Sequence, residues 1–445
     1  MNRPNVVFVF ADQWRAQDTG YARNAQVATP HLDRLAQESV NFTHAVSGWP
    51  VCSPWRGSLL TGQYPLTHGI FVNDVPLADS GTRLGEAFSG AGYDTAWIGK
   101  WHIDGHGRSE YIPPERRHGF DYWKTLECSH DYNRSAYYEG NGREKRYWEG
   151  YDAIAQTRDA QRYLRGRDGD CPFLLVLSWG PPHNPYETAP EVYRRRYRPE
   201  EIALRPNVPE ESAQEAREWL AGYYAHCTAL DDCVAALLET LAETGLDDNT
   251  IFVFTSDHGD MLGSQGTVRK QKPWEESIRV PFLLRCPGVA ARETDALINA
   301  PDIMPTLLGL CDIPLPASVE GLDFSGHIRH ESPDPSGGAA LLACYHPFGE
   351  WSRDEGGREF RGLRTRRHTY TRTLEGPWQL YDNEADPWQL QNRIDDPACR
   401  DLRLQLDVRL GEMLARQGDE FLHGDKYIRR WGYTVDETGT VPYSL

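Results

Sequence analysis

Five short polar clusters carry the residue types and spacings from which chemistry could be built. The first runs Cys52-Ser53-Pro54-Trp55-Arg56 and continues to Leu60-Thr61-Gly62. Pro50 and Pro54 bracket the cysteine, and residues 53–60 suit a helix with Pro54 in its first turn. Cys52 then lies at a helix N-terminus, where free N–H groups and the helix dipole favour an anion. Asp12-Gln13 and Asp257-His258 each follow an apolar run. Oxygen-rich donors of this kind suit a hard divalent cation. Taken singly, Asp257 reads equally well as a turn cap and Gln13 as a solvated side chain. Two such pairs at matching places are harder to read as coincidence. Lys100 and His102 in Gly-Lys-Trp-His, and His183 after Pro181-Pro182, also follow apolar runs, although a lone histidine is more often a core or surface residue.

These clusters need elements to bring them together. Residues 5–11, rich in Val and Phe, read as a buried parallel strand with Asp12 at its C-terminal end, where open α/β sheets place ligand sites. Thr29 as N-cap and Pro30 in the first turn predict a helix through about Val40. A helix over 82–89, short strands over 93–98, 172–178 and 250–255, and a long helix over 213–244 follow. In that helix Leu220, Tyr223, Cys227, Leu230, Val234, Leu237 and Leu241 recur at helical spacing, and Gly245 suits its C-terminus. Four strands ending in polar clusters, with helices between, imply an α/β fold with a mostly parallel central sheet covered on both faces. Residues 331–338 are turn-rich, so the chain divides into a catalytic part, 1–335, and a smaller α+β C-terminal part, 336–445. That second part holds β-like runs at 339–345, 360–365, 368–373 and 379–382 and a helix over 399–416. Residues 417–445 lack periodicity and either pack back or join subunits of a homo-oligomer.

The pattern Cys-x-Pro-x-Arg with its Leu-Thr-Gly ending resembles the sulfatase family, and the likeness runs from Asn5 to Leu380-Tyr381-Asp382. Pro54, Arg56 and Gly62 in register with Cys52 outweigh the ordinary reading of a buried cysteine before a helix. The resemblance implies an alkaline-phosphatase-like fold and oxidation of Cys52 to formylglycine by a formylglycine-generating enzyme or an anaerobic maturase. It implies a calcium ion, with manganese or magnesium as alternatives, held by Asp12, Gln13, Asp257 and His258 together with the modified Cys52. Gln13 and His258 stand where the family usually has Asp and Asn. That variant resembles choline-sulfatase-like enzymes and phosphonate monoester hydrolases, and imidazole suits manganese better than calcium. The resemblance further implies that Arg56, Lys100 and Lys270 hold developing charge, that His183 or Lys270 protonates the leaving oxygen, and that His102 is the base. Lys270 fits the family spacing to Glu275, with Lys272 as the second choice and a solvated basic loop as the bland reading. Asn73 matches a substrate contact of choline-sulfatase-like members, and an ordinary turn role suits it as well. His346 and Trp351, in a loop between two β-like runs, are expected to shape the leaving-group pocket.

A thiol is poorly suited to repeated attack on a sulfate ester, because the covalent adduct must also break down; a hydrated aldehyde meets both needs. The expected activity is hydrolysis of a sulfate ester of a sugar or small metabolite, with phosphonate monoester or phosphodiester hydrolysis as the alternative. A formal net charge of −18 argues against a nucleic-acid partner while permitting a small anionic sulfate ester near a local metal. Nine cysteines without a CxxC pair indicate free thiols. The N-terminal apolar run is too short for a signal or a membrane span, so the chain reads as cytoplasmic, or as periplasmic or secreted if an export signal has been trimmed from it, and without a membrane partner.

Overall fold

The computed structural model describes residues 3–167, 169 and 171–443. Its frame is a ten-stranded sheet. In chain order the strands are β1 (Asn5–Asp12), β2 (Val40–Phe42), β3 (Asp94–Lys100), β4 (Tyr122–Leu126), β5 (Ala136–Glu139), β6 (Arg146–Tyr147), β7 (Phe173–Pro182), β8 (Thr250–Ser256), β9 (Phe282–Arg285) and β10 (Arg292–Thr294). They lie in the order β10-β2-β9-β8-β1-β7-β3-β4-β5-β6. The run β8-β1-β7-β3-β4 is parallel; β9 pairs antiparallel with both β8 and β2.

β1 explains its own sequence. Every residue in it is buried. Val6, Phe8 and Phe10 face one core with Trp55 and Trp97, while Val7, Val9 and Ala11 face another with the helix Ala213–Glu243. A strand covered on both faces has no polar side to alternate with, hence the continuous apolar run. The predicted stripe of the long helix is buried throughout, from Leu220 to Leu241. Gly245 follows that helix with φ 68°, a left-handed turn that glycine adopts at no steric cost.

Three local expectations are corrected. The helix from Pro30 ends at Gln37 rather than near Val40, because Val40–Phe42 is taken up by sheet pairing to β9 and β10. Thr29 does not cap it: its hydroxyl accepts from the Gly20 N–H at 2.8 Å. Asp231, from the long helix, instead accepts the N–H groups of Leu32 at 2.7 Å and His31 at 3.1 Å. β7 also runs four residues past the predicted end, to Pro182.

The C-terminal strands β11 (Ala339–Cys344), β12 (Phe360–Thr365), β13 (His368–Thr373) and β14 (Gly376–Asp382) form an antiparallel sheet in that order. The helix Arg400–Arg416 buries Leu406, Leu410 and Leu414 against it. The tail packs back on the chain: the helix Gly424–Trp431 sets Tyr427 near Phe71, and the Tyr433 hydroxyl donates to the Gly69 carbonyl at 2.9 Å. All nine cysteines are free thiols, and among the described residues no helix is long and apolar enough to cross a membrane.

A buried ion pair ties the C-terminal sheet to the short helix Glu275–Ile278 that precedes β9. Arg364 of β12 donates to both oxygens of Glu275, at 2.7 and 3.0 Å, and Arg279 adds a contact at 3.3 Å. Burial alone would raise the Glu275 carboxyl, but the two guanidiniums outweigh it and hold it at about 2. A depressed carboxyl contributes stability that is complete above its unfolded value and disappears as pH falls through the folded one. Glu275→Gln is therefore expected to lower stability by about 3 kcal/mol at pH 7. The gap to the unmutated protein should close between pH about 4.5 and about 2. Urea unfolding at a series of pH values checks this, and a gap that stays constant on acidification contradicts it.

Candidate active site

The polar ends of β1, β3, β7 and β8 converge beneath the N-terminus of the helix Cys52–Thr61. All ten residues of that helix are buried, which is why it shows no amphipathic stripe. Gly62, with φ 65°, turns the chain out of it and donates its N–H to Ser58 at 2.9 Å. At the other end Asn73 Oδ1 accepts the Ser53 N–H at 3.1 Å, so Asn73 caps the helix that presents Cys52.

Neighbouring strands lock the carboxylates in place. The Asp257 N–H donates to the Ala11 carbonyl at 3.2 Å, and the His183 N–H donates to the Asp12 carbonyl at 3.0 Å. Asp257 Oδ1 accepts the backbone N–H groups of Gln13 and His258, both at 2.9 Å. Gln13 takes φ 73° and His102 takes φ 61°, left-handed conformations that cost a non-glycine residue about 1–3 kcal/mol. Strain of this kind persists where the surroundings over-determine it, and both residues border the cluster.

Cys52 Sγ sits 3.2 Å from His258 Nε2, 3.5 Å from Lys270 Nζ and 3.6 Å from Asp12 Oδ1. Lys100 Nζ lies 2.7 Å from Asp12 Oδ2. Arg56 reaches Asp12 Oδ2 at 3.2 Å and Asp257 Oδ2 at 3.5 Å, and it donates to the Lys100 carbonyl and to Ser178 Oγ, both at 2.8 Å. Its guanidinium stacks 4.9 Å over Phe10. Lys270 Nζ donates to Gln13 Oε1 at 3.0 Å and lies 2.7 Å from His183 Nε2. His183 Nδ1 faces the Asn184 carbonyl at 2.8 Å; a carbonyl only accepts, so the proton sits on Nδ1 and Nε2 offers its lone pair to the lysine.

The same logic fixes His258. Its Nδ1 donates to the Gly259 carbonyl at 2.9 Å, which turns Nε2 toward Cys52. Asp260 orients Gln13: Gln13 Nε2 donates to Asp260 Oδ2 at 2.6 Å, leaving Oε1 for the centre. Asp260 also accepts from the Tyr186 hydroxyl and from the N–H groups of Leu262 and Arg269, so it anchors the Lys270 loop as well.

The donor set fits a divalent cation. Asp12, Cys52, Asp257 and His258 each place one donor atom within 4.8 Å of the others, all buried. Burial and the charge of Asp12 push the Asp257 carboxyl up to about 6, a penalty that a cation between the two would relieve. Burial would raise Asp12 too, but Lys100, His183 and His258 hold it well below the carboxylate range. Burial and Asp12 oppose ionisation of Cys52, yet Lys100, Lys270 and His258 draw its thiol well below the ordinary value. Burial, Lys270 and His130 keep His183 well below the ordinary imidazole range.

Of the two candidate lysines, Lys270 belongs to the cluster. Lys272 Nζ donates to the carbonyls of Val268 at 2.8 Å and Lys270 at 2.9 Å and braces the loop from behind. Burial lowers Lys272 to about 8. Lys270→Ala is expected to cut kcat by about 10²–10³-fold, the cost of removing one donor aimed at developing charge. Lys272→Ala should chiefly lower stability, by about 1–3 kcal/mol. Steady-state kinetics paired with thermal unfolding separates the two, and an equal loss of kcat in both variants contradicts the assignment.

His346 and Trp351 stand apart from the cluster. His346 is buried against Gly424 and Gly439 of the tail, and Trp351 carries Lys272 Nζ 5.4 Å over its ring. Their link to the site is indirect: Gln271 donates from its side chain to the Phe348 carbonyl at 2.9 Å and from its backbone to the Pro50 carbonyl at 3.1 Å. Four residues join the site that the sequence reading passes over. Besides Asp260, Asp74 lies 3.4 Å from His102 Nε2 and pairs with Arg108 at 2.9 Å. His130 stacks flat on His183, ring centres 4.4 Å apart, and Cys128 Sγ lies 4.0 Å from His130 Nε2. Burial disfavours charge on His102, but Cys128 and Asp74 lift its imidazole well above the ordinary value. Asp260, three residues beyond Asp257, was findable from the first cluster; Cys128 and His130 follow β4, whose Tyr-Trp-Lys-Thr-Leu shows no apolar run.

The chain matches known proteins over most of its length. Residues 4–313 match the family model described as Sulfatase, and residues 263–416 match the one described as N-sulphoglucosamine sulphohydrolase, C-terminal. The chain is 46% identical to an ulvan-active sulfatase of Formosa agariphila, over 99% of this chain and 87% of the relative. It is 31% identical to an endo-4-O-sulfatase of Bacteroides thetaiotaomicron, over 94% and 92%. A crystal structure of the phosphonate monoester hydrolase of Agrobacterium radiobacter shares the fold, with a TM-score of 0.77 at 23% identity and full coverage of both chains. The alkaline-phosphatase-like architecture, the cluster around Cys52 and the match over most of the length agree: this chain belongs to the sulfatase family and is a hydrolase of sulfate esters.

Proposed function

We propose that this protein removes sulfate from a sulfated carbohydrate, using formylglycine made from Cys52 and a divalent cation held by Asp12, Gln13, Asp257 and His258. The observation that carries the proposal is the convergence of Lys100, Lys270 and Arg56 with two buried carboxylates on Cys52. The 46% identical relative is named for ulvan and the 31% identical one for a 4-O-sulfate, which supports a sugar as the alcohol. A formylglycine-generating enzyme or an anaerobic maturase performs the oxidation. Position 52 then supplies a hydrated aldehyde as an oxygen nucleophile that can later release sulfate, while the cation supplies Lewis-acid charge. Calcium suits the carboxylates and the amide; the His258 imidazole also admits manganese.

The remaining work falls to side chains. Arg56 braces both carboxylates and keeps position 52 above them. Lys100 and Lys270 bind the charge that develops on the sulfate oxygens. Lys270 Nζ and His183 Nε2, 2.7 Å apart, hold the proton that the leaving alcohol needs. His102, buried 3.4 Å from Asp74, is raised above the ordinary imidazole range by Cys128 and Asp74 and is the base of this proposal.

Gln13 and His258 in the donor set favour a second reading, hydrolysis of phosphonate monoesters or phosphodiesters at the same site. Protein made in a host that oxidises Cys52 is incubated with sulfated mono- and oligosaccharides, choline sulfate, an aryl sulfate, an aryl phosphonate monoester and an aryl phosphodiester. Sulfate release from a sulfated sugar with the highest kcat/KM supports the proposal; faster cleavage of either phosphorus ester overturns it in favour of the second reading.

A further inference from the structure

A cavity of about 540 Å³ opens between the catalytic sheet and the C-terminal sheet, outside the Cys52 cluster. That size lies within the range of ligand sites, about 300–1,000 Å³, which favour domain interfaces. Six arginines line it: Arg15, Arg23, Arg205, Arg279, Arg364 and Arg366. Only three carboxylates, Asp18, Glu275 and Glu384, face it with them.

The pairing around the cavity leaves cationic capacity over. Arg15 pairs with Asp18, Arg205 with Glu276 at 3.0 Å, and Arg366 with Asp295 at 3.0 Å and Asp334 at 2.6 Å. Glu275 serves both Arg364 and Arg279 while Arg366 draws on two carboxylates, so these five arginines face five carboxylates and the surplus cation is Arg23. Arg279 Nε is buried without a hydrogen-bond partner. Arg23, exposed on the rim, makes no ion pair among the described residues. The wall registers the imbalance: burial, Arg364 and Arg279 together lower His44 to about 4.

The cavity also offers a ring. Trp388 is partly exposed, with the Arg205 guanidinium 4.5 Å over one face of its ring. Guanidinium forks match carboxylate and sulfate oxygens, and flat aromatic faces pack on sugar rings. The floor connects to the active centre through one hydroxyl. Tyr223 donates to the Gln13 carbonyl at 2.7 Å and accepts the Arg15 N–H at 2.9 Å.

We infer that this arginine-lined cavity is a second binding site, one that holds an acidic sugar unit of the same carbohydrate chain whose sulfate ester is cleaved at Cys52. The inference rests on the carbohydrate reading above. The shared chemistry is an anionic sugar substituent, either a sulfate ester or a uronate carboxylate. A chain long enough to reach both sites binds more tightly than a monosaccharide, and the gain depends on the cavity arginines.

Binding is measured first, by calorimetry, on the Cys52→Ala protein, which needs no turnover. The probes are a sulfated, uronate-containing octasaccharide and its chemically desulfated counterpart. Arg23→Glu on that background is expected to raise the Kd for the sulfated octasaccharide about tenfold, and Arg366→Ala, a second exposed change, about threefold. An equal rise for the desulfated chain assigns the cavity to carboxylate, and a rise confined to the sulfated chain assigns it to sulfate. In the active protein, the ratio of kcat/KM for the octasaccharide to that for a sulfated monosaccharide should fall by the same factors. An octasaccharide Kd unmoved by both variants overturns the inference. Failure of the carbohydrate reading has a different signature, because then no sulfated saccharide is turned over by the unmutated protein.

Discussion

Cys52→Ala is expected to lower sulfate release by about 10⁴-fold or more while the protein still folds, because alanine removes the side chain from which the proposed nucleophile is made. The fold should tolerate the change. Cys52 lies at the first position of a helix whose other nine residues remain buried, and its thiol is surrounded by charged groups rather than packed into an apolar pocket. Alanine at this position leaves Lys100, Lys270 and His258 without the thiol's partial negative charge but with Asp12 still present. Thermal unfolding within a few degrees of the unmutated protein, together with loss of turnover, is the predicted pair of results. Residual turnover above about one part in 10³ would contradict the assignment.

The second large effect is at Asp12. Asp12→Asn keeps the shape and removes the charge that faces Lys100 at 2.7 Å and Arg56 at 3.2 Å and that belongs to the proposed cation site. Both losses act on the same reaction. A buried lysine and a buried arginine left without their carboxylate destabilise the protein by about 3–5 kcal/mol. Loss of a charged metal donor, and of charge balance at the sulfate, is expected to reduce kcat by about 10³-fold or more. Metal content after dialysis, measured beside kcat, checks the joint effect: the variant should retain less cation and respond to added calcium or manganese only at higher concentration. Unchanged metal content with reduced kcat would assign Asp12 to charge balance alone and remove it from the cation site.

Much of this was legible in the sequence because the physics is local. A strand buried on both faces must read as an unbroken apolar run, and β1, β7 and β8 do. A long helix packed on one face must repeat its apolar residues at helical spacing, and Ala213–Glu243 does. Strand ends in a parallel sheet share one edge, so Asp12, Lys100, His183 and Asp257 could be placed together before any coordinates. What escaped was set by distant partners. Val40–Phe42 is a strand only because β9 and β10 lie beside it. Asp231 caps a helix some two hundred residues away in place of Thr29. Cys128 and His130 enter the site on a loop after β4, a strand half polar in sequence because Lys124 pairs with Asp159 at 2.9 Å within the fold. His346 could not be separated from a pocket residue by sequence alone, since its burial is made by glycines of the tail that fold back over it.

The orientation of Gln13 was likewise beyond the sequence. Which of its two amide ends faces the centre depends on Asp260, and the 2.6 Å contact to Nε2 decides it. The choice between Lys270 and Lys272 required the loop itself, in which one ammonium enters the cluster and the other satisfies backbone carbonyls.

The central claim is that the oxidised form of Cys52 does the work, and one paired measurement tests it most directly. The peptide containing Cys52 is analysed by mass spectrometry in preparations matured to different extents, and sulfate release from a sulfated oligosaccharide is measured on the same samples. The account predicts that sulfate release rises in proportion to the fraction of the peptide carrying the aldehyde and goes to zero where the thiol is intact. Full sulfate release from protein whose Cys52 remains entirely a thiol would contradict it.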